Sequence, residues 1–108
     1  MSVDSIIRYY YYVYYYLPKD LNYLLNLFDK KYKNIFPDTN IDLLKTYFNQ
    51  ICLFVYEDRV NFVSGEPKDK NFYIISLRII LRANKNEEVL NQFFDDIILF
   101  FGREIYSH

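Results

Sequence analysis

Side chains that do chemistry in enzymes are scarce in this chain. Its 108 residues include one histidine, one cysteine and two glycines. His108 is the last residue, and a terminus is a poor place to hold a general base or a metal ligand. Cys52 stands in an apolar segment, where a buried thiol is unreactive, and Gly65 and Gly102 form no glycine-rich phosphate loop. We therefore expect no metal, no cofactor and no catalysis.

Strong charge and long apolar runs are also missing. The formal net charge is −1, with a pI near 5.7, which does not favour nucleic acid. The longest unbroken apolar run, residues 9–17, is far shorter than the ~20 residues that a membrane helix needs. The acidic N-terminus does not resemble a secretory signal, and one cysteine allows no internal disulfide. These features predict a cytoplasmic protein in a reducing compartment, without a membrane segment.

Aromatic residues are abundant instead. They make up 21% of the chain, with 13 tyrosines and 10 phenylalanines, and 52% of all residues are hydrophobic. Such a composition is typical of a packed domain, so residues 1–108 are expected to form a single domain. Tyr, Phe, Ile, Asn and Lys have A/T-rich codons, which suggests an A/T-rich source such as a virus or a mobile element.

The most distinctive stretch is residues 6–17, which are β-branched or aromatic almost throughout and end before Pro18. This composition is typical of a β-strand. In a strand, successive side chains point to opposite faces. One face would carry Ile7, Tyr9, Tyr11, Val13, Tyr15 and Leu17. The other face would carry Ile6, Arg8, Tyr10, Tyr12, Tyr14 and Tyr16. Both faces are too apolar to be left in water, so each needs a cover.

The remaining elements follow from periodicity and turn residues. Helical spacing predicts helices over residues 18–34, 41–50 and 86–101, with a capping box from Asn84 to Glu87. Strands are predicted over 51–56, 59–64 and 72–83. The expected fold class is α+β: a four-stranded, mainly antiparallel sheet, in the order β-α-α-β-β-β-α, with helices packed on one face.

This architecture leaves one tyrosine face without a cover. Tyrosine and arginine are enriched at binding hot spots. The sequence therefore predicts a non-catalytic accessory, inhibitor or immunity-type protein. It would bind another protein stoichiometrically, and a second copy as a homodimer. The expected partner-binding residues share one sheet face: Arg8, Tyr10, Tyr12, Tyr14, Tyr16, Arg78 and Arg82.

Two other interpretations remain open. The same tyrosines could stack on the bases of a single-stranded nucleic acid, with the arginines on phosphates. Alternatively, both tyrosine faces could be core, which would leave the function unassigned. The adjacent carboxylates of residues 87–88 and 95–96 do not suggest acid catalysis, because neighbouring residues on a helix point about 100° apart.

Overall fold

The regular structure of this protein is helical. The computed structural model describes residues 2–58, 62 and 67–105. Its helices are α1 (Val3–Tyr11), α2 (Leu17–Leu27), α3 (Ile41–Glu57), α4 (Lys70–Leu81) and α5 (Glu87–Phe100). Wider, π-helical turns are formed by Tyr12–Tyr16, Phe28–Tyr32 and Phe101–Ile105.

No strand occurs among the residues described, so the predicted α+β fold with its four-stranded sheet is wrong. Residues 6–17 form α1 and the first π-helical turn instead. Because this run is apolar at nearly every position, it satisfies a helical period as well as an alternating one. The helical period places Tyr9, Tyr12 and Val13 on one face, and burial of that face outweighs a weak strand propensity.

The predicted strands 51–56 and 72–83 are helical for the same reason. Residues 51–56 extend α3, where Phe48, Ile51 and Val55 are buried at helical spacing. Residues 72–83 belong largely to α4, which buries Leu77 and Leu81, one helical turn apart. The predicted strand 59–64 lies outside the described residues, apart from Phe62.

The three predicted helices are confirmed. The helix predicted over 18–34 is α2 with its following π-helical turn. The helix predicted from Ile41 begins there, because the Asn40 side chain accepts a hydrogen bond from the Leu43 N–H (3.2 Å), but it continues to Glu57. The last helix begins after Asn86. The predicted capping box between Asn84 and Glu87 does not form, because the Glu87 carboxylate accepts a hydrogen bond from Arg78 instead (2.8 Å).

Residues 3–32 form one continuous helical segment that contains Pro18. A proline inside a regular α-helix has no N–H to donate and clashes with the carbonyl four residues before it. Here the preceding turn is wider, and the Leu17 N–H bonds to the Tyr12 carbonyl, five residues back. The helical segment therefore continues through the proline. At a rise of about 1.5 Å per residue, it accounts for most of the molecule's 46 Å length.

The core is organised around aromatic rings between α3, α5 and the π-helical turn that follows α2. The Phe93 ring stacks on Tyr32 (4.2 Å between centroids) and on Phe28 (6.0 Å), and Phe48 meets it edge-on (6.1 Å). Helix α3 is central, since it contacts both α2 and α4 and the last π-helical turn. Of the helices described, none is both long and apolar enough to cross a membrane.

Helix α4 ends at an arginine in the left-handed conformation. Arg82 has φ 53° and ψ 47°. Its N–H bonds to the Ile79 carbonyl (3.3 Å), and the Ala83 N–H bonds to the Arg78 carbonyl (3.0 Å), which is a complete Schellman motif. Glycine is the residue that normally stands here, because a Cβ is strained in this conformation.

Replacing this arginine by glycine should stabilise the fold. Arg82→Gly is expected to raise the free energy of unfolding by about 0.5–1 kcal/mol, because relief of the strain exceeds the added entropy of the unfolded chain. Urea titration would measure the change. Arg82→Ala, which keeps the Cβ, is the control and should show no such gain. A glycine variant less stable than the alanine variant would contradict the assignment.

Candidate protein-binding surface

The outward side of the N-terminal helix carries an exposed apolar stripe. Val3, Ile7, Tyr10 and Tyr14 are 72, 60, 56 and 73% exposed. Their spacing of four, three and four residues places them on one side of a helix. We call these four residues the outer stripe. No residue of α1 is buried, but Tyr9 is partly covered and its ring lies near that of Tyr56 (6.4 Å between centroids), so the stripe is on the side away from the core.

Two further tyrosines widen the stripe. Tyr11 and Tyr15 are also exposed, and their rings lie 4.6 Å apart between centroids. Because a full aromatic side chain covers ~150–250 Å², the stripe and this pair together expose roughly 600–800 Å² of mainly apolar side chain. Isolated monomers rarely expose contiguous patches of that size, and larger ones mark interaction sites.

The opposite side of the same segment is held in the core by Tyr12. Its ring is 1% exposed and stacks on Tyr56 (4.3 Å between centroids). Its hydroxyl donates a hydrogen bond to the carboxylate of Asp20 (3.0 Å), which is itself only 4% exposed. This contact joins the first π-helical turn to α2, so it determines which side of α1 faces outward.

The surroundings of this contact keep the Tyr12 hydroxyl and the nearby Cys52 thiol protonated. Burial raises the pKa of Tyr12 far above its ordinary value, and the nearby Cys52 and Asp20 raise it further. Burial also raises the pKa of the Cys52 thiol, as does the charge of Asp20, against a smaller opposing effect of the Tyr12 hydroxyl. Cys52 is therefore held as a thiol, and the cluster is built for packing rather than for nucleophilic attack.

The helix divides the tyrosines that were predicted to share one face. Tyr10 and Tyr14 lie together on the outer stripe, whereas Tyr12 is in the core. Tyr16 is partly buried, with its ring 5.6 Å from that of Tyr11. Arg8 is exposed on α1.

The other two predicted arginines, Arg78 and Arg82, lie at the C-terminal end of α4. Arg78 forms an ion pair with Glu87 (2.8 Å), and Arg82 follows the last residue of the helix. Helix α4 contacts α3 and α5. The structure therefore brings together Tyr10 and Tyr14 of the predicted set and places Arg78 and Arg82 at a different helix.

Sequence reasoning missed four residues of the surface. Ile7, Tyr11 and Tyr15 were assigned to the opposite strand face, and Val3 was assigned to no element. The signal that could have identified them is the four-three-four spacing of the stripe. The start of the helix could also be seen, because Ser2 caps it by accepting a hydrogen bond from the Ser5 N–H (3.2 Å).

A second apolar surface lies between α3 and α4. Two adjoining cavities, of about 520 and 170 Å³, share Phe54, Phe72 and Tyr73 in their walls. The Tyr47 hydroxyl donates to the Tyr73 carbonyl (3.3 Å) at the base of the smaller one. This surface is a groove, whereas the outer stripe is the convex side of a helix.

A polar cluster joins the end of the N-terminal segment to α5. Asp96 accepts hydrogen bonds from Lys31 (2.8 Å), from Gln92 (3.0 Å) and from the Tyr32 hydroxyl. Burial alone would raise the pKa of Asp96, but these bonds and the Lys31 charge outweigh it, so the pKa lies below its ordinary value. The cluster ties residues far apart in the chain and has the character of a structural contact.

Known proteins do not supply a function for these surfaces. Comparisons with protein-family models, with curated proteins and with solved structures find no match to this chain. Within the described residues, no group of three or more histidine, cysteine, aspartate or glutamate side chains could hold a metal ion. The outer stripe is thus the surface that offers evidence about function.

The Tyr12 contact should contribute measurably to stability. Tyr12→Phe removes a donor from the buried Asp20 carboxylate, so we expect the free energy of unfolding to fall by about 1–2 kcal/mol. Tyr10→Phe, the same change on the exposed side of the same helix, should stay within about 0.5 kcal/mol of the wild type. Equal effects in chemical denaturation would show that Tyr12 has no special role.

The Asp96 contact should depend on pH. Because the folded-state pKa is lowered, its stabilisation is present above the unfolded pKa of about 3.9 and is lost as the pH falls through the folded value. We expect Asp96→Asn to cost about 1 kcal/mol at pH 7 and clearly less at pH 3. Unfolding at both pH values measures this, with Asp95→Asn, at an exposed neighbour, as the control. A cost that does not change with pH would refute the assignment.

Proposed function

We propose that this chain is a non-catalytic protein that acts by stoichiometric binding of a polypeptide through the outer stripe of α1. The observation that supports the proposal is the exposure of two tyrosines and two aliphatic residues along one side of a helical segment that is anchored in the core at Tyr12. Tyrosine is among the residues that contribute most to binding energy at interfaces.

The surface is organised before a partner arrives. The stripe lies on a helix and on the π-helical turn that follows it, and Tyr12 anchors this turn through a buried hydrogen bond and a stacked ring. A surface that needs little ordering loses less entropy on binding. Tyrosine adds large area at a small rotamer cost. A helical stripe of this kind fits another helix or a groove that accepts one.

A protein partner is favoured over a nucleic acid by the charges near the stripe. Between residues 3 and 16 the charged side chains are Asp4 and Arg8, which cancel. A single-strand binder needs a positively charged track for the phosphates beside its stacking rings. Arg78 and Arg82 do not supply one on α1, since they lie on α4. The buried free thiol of Cys52 is compatible with action in the reducing cytoplasm.

Affinity capture from the native source tests the proposal. The tagged chain should retain a defined protein in stoichiometric amount. That protein could be an untagged copy of the same chain. Tyr10→Ser combined with Tyr14→Ser should lose that protein. Ile79→Ser, at a residue 69% exposed on α4, is the control and should retain it. If the double variant retains the same protein as the wild type, the stripe is not the binding surface.

Titration with labelled oligonucleotides at two salt concentrations tests the other candidate. We expect no binding that weakens with salt, because α1 offers no phosphate track. Salt-dependent binding that disappears in the Tyr10→Ser, Tyr14→Ser variant would show that the stripe binds nucleic acid and would contradict the proposed protein partner.

A further inference from the structure

The spacing of the outer stripe is that of a helix–helix seam. Intervals of four, three and four residues repeat the pattern with which two helices pack side by side over many turns. The four residues span about three turns, or roughly 16 Å at 1.5 Å per residue. The surface that complements such a stripe best is therefore another helix with an equivalent stripe.

The exposed area matches what a dimer requires. The stripe with Tyr11 and Tyr15 offers roughly 600–800 Å² per chain, while a standard protein interface buries about 800 Å² per partner. The segment has no net charge, because Asp4 and Arg8 balance, so two copies of it do not repel each other. A patch of this size, charge and shape meets the conditions for self-association through a two-fold axis.

From these features we propose that the polypeptide bound by the outer stripe is a second copy of this chain, with the two helical segments of residues 3–14 packed antiparallel. This inference rests on the proposed function and adds the identity of the partner. In the pairing, Val3 lies opposite the partner's Tyr14, and Ile7 lies opposite the partner's Tyr10. The contact then has two-fold symmetry, and each chain covers the exposed rings of the other.

The antiparallel direction follows from what comes after the stripe. The spacing of the stripe would next reach Leu17, which is buried, so the stripe ends at Tyr14. A parallel pair would place both copies of α2, and the helices packed on them, at the same end of the contact. An antiparallel pair confines the contact to residues 3–14 and sets opposite ends of the two helix dipoles together.

Sedimentation equilibrium over a concentration series measures the association. We expect a particle of twice the chain mass of 13.3 kDa. Tyr10→Ser with Tyr14→Ser should weaken the dimer at least ~100-fold, because four buried rings are removed from each dimer. Ile79→Ser should leave the association unchanged. Circular dichroism should show the same helix content in all variants, since these side chains are exposed.

Oxidative cross-linking measures the direction. Val3→Cys with Tyr14→Cys should form covalent dimers, whereas Val3→Cys alone should not. Within one helix the two positions are ~16 Å apart, too far for a disulfide inside the chain. The natural cysteine, Cys52, is buried and does not interfere. Covalent dimers from Val3→Cys alone would overturn the antiparallel arrangement.

The outcomes separate this inference from the proposed function. A chain that is monomeric at all concentrations, yet captures a different protein through Tyr10 and Tyr14, overturns the inference and leaves the proposed function standing. A dimer that tolerates both substitutions shows association through another face and overturns the inference. A monomer that captures nothing through these tyrosines overturns both.

Discussion

The buried hydrogen bond between Tyr12 and Asp20 is the contact on which the arrangement of this protein depends. The N-terminal segment is apolar almost all round, so its composition does not determine which side turns inward. Stacking on Tyr56 and bonding to Asp20 favour one orientation and leave Tyr10 and Tyr14 outside. A polar contact inside an apolar core contributes little net energy, but an alternative orientation would leave the carboxylate without this donor.

The sequence predicts the fold well where polar and apolar residues alternate with a helical period. Helices α2, α3 and α5 are found where their apolar stripes indicated, although α3 continues to Glu57. The prediction fails where almost every position is apolar, over residues 6–17, 51–56 and 72–83. In such runs the period cannot be read, and β-branched and aromatic residues favour a strand only weakly. Tertiary packing then decides, and here it favours helices throughout the described residues.

Only part of the candidate surface could be predicted, because residues 6–17 were interpreted as a strand. Tyr10 and Tyr14 are two residues from Tyr12, and a strand would place all three on one side. A helix turns Tyr12 by about 200° relative to Tyr10, so the middle ring enters the core while its neighbours stay outside. Arg78 and Arg82 were joined to the tyrosines only through the assumed sheet. In the helical fold one pairs with Glu87 and the other ends α4.

Nuclear Overhauser effects between aromatic rings test most directly which side of the N-terminal segment faces the core. We predict contacts from the Tyr12 ring to the Tyr56 ring, which lie 4.3 Å apart between centroids, and none from Tyr10 or Tyr14 to Tyr56. Pairing with a second copy would not change this pattern, because both outer rings face away from the core. Contacts from Tyr14 to Tyr56, with none from Tyr12, would contradict the assignment of inner and outer sides.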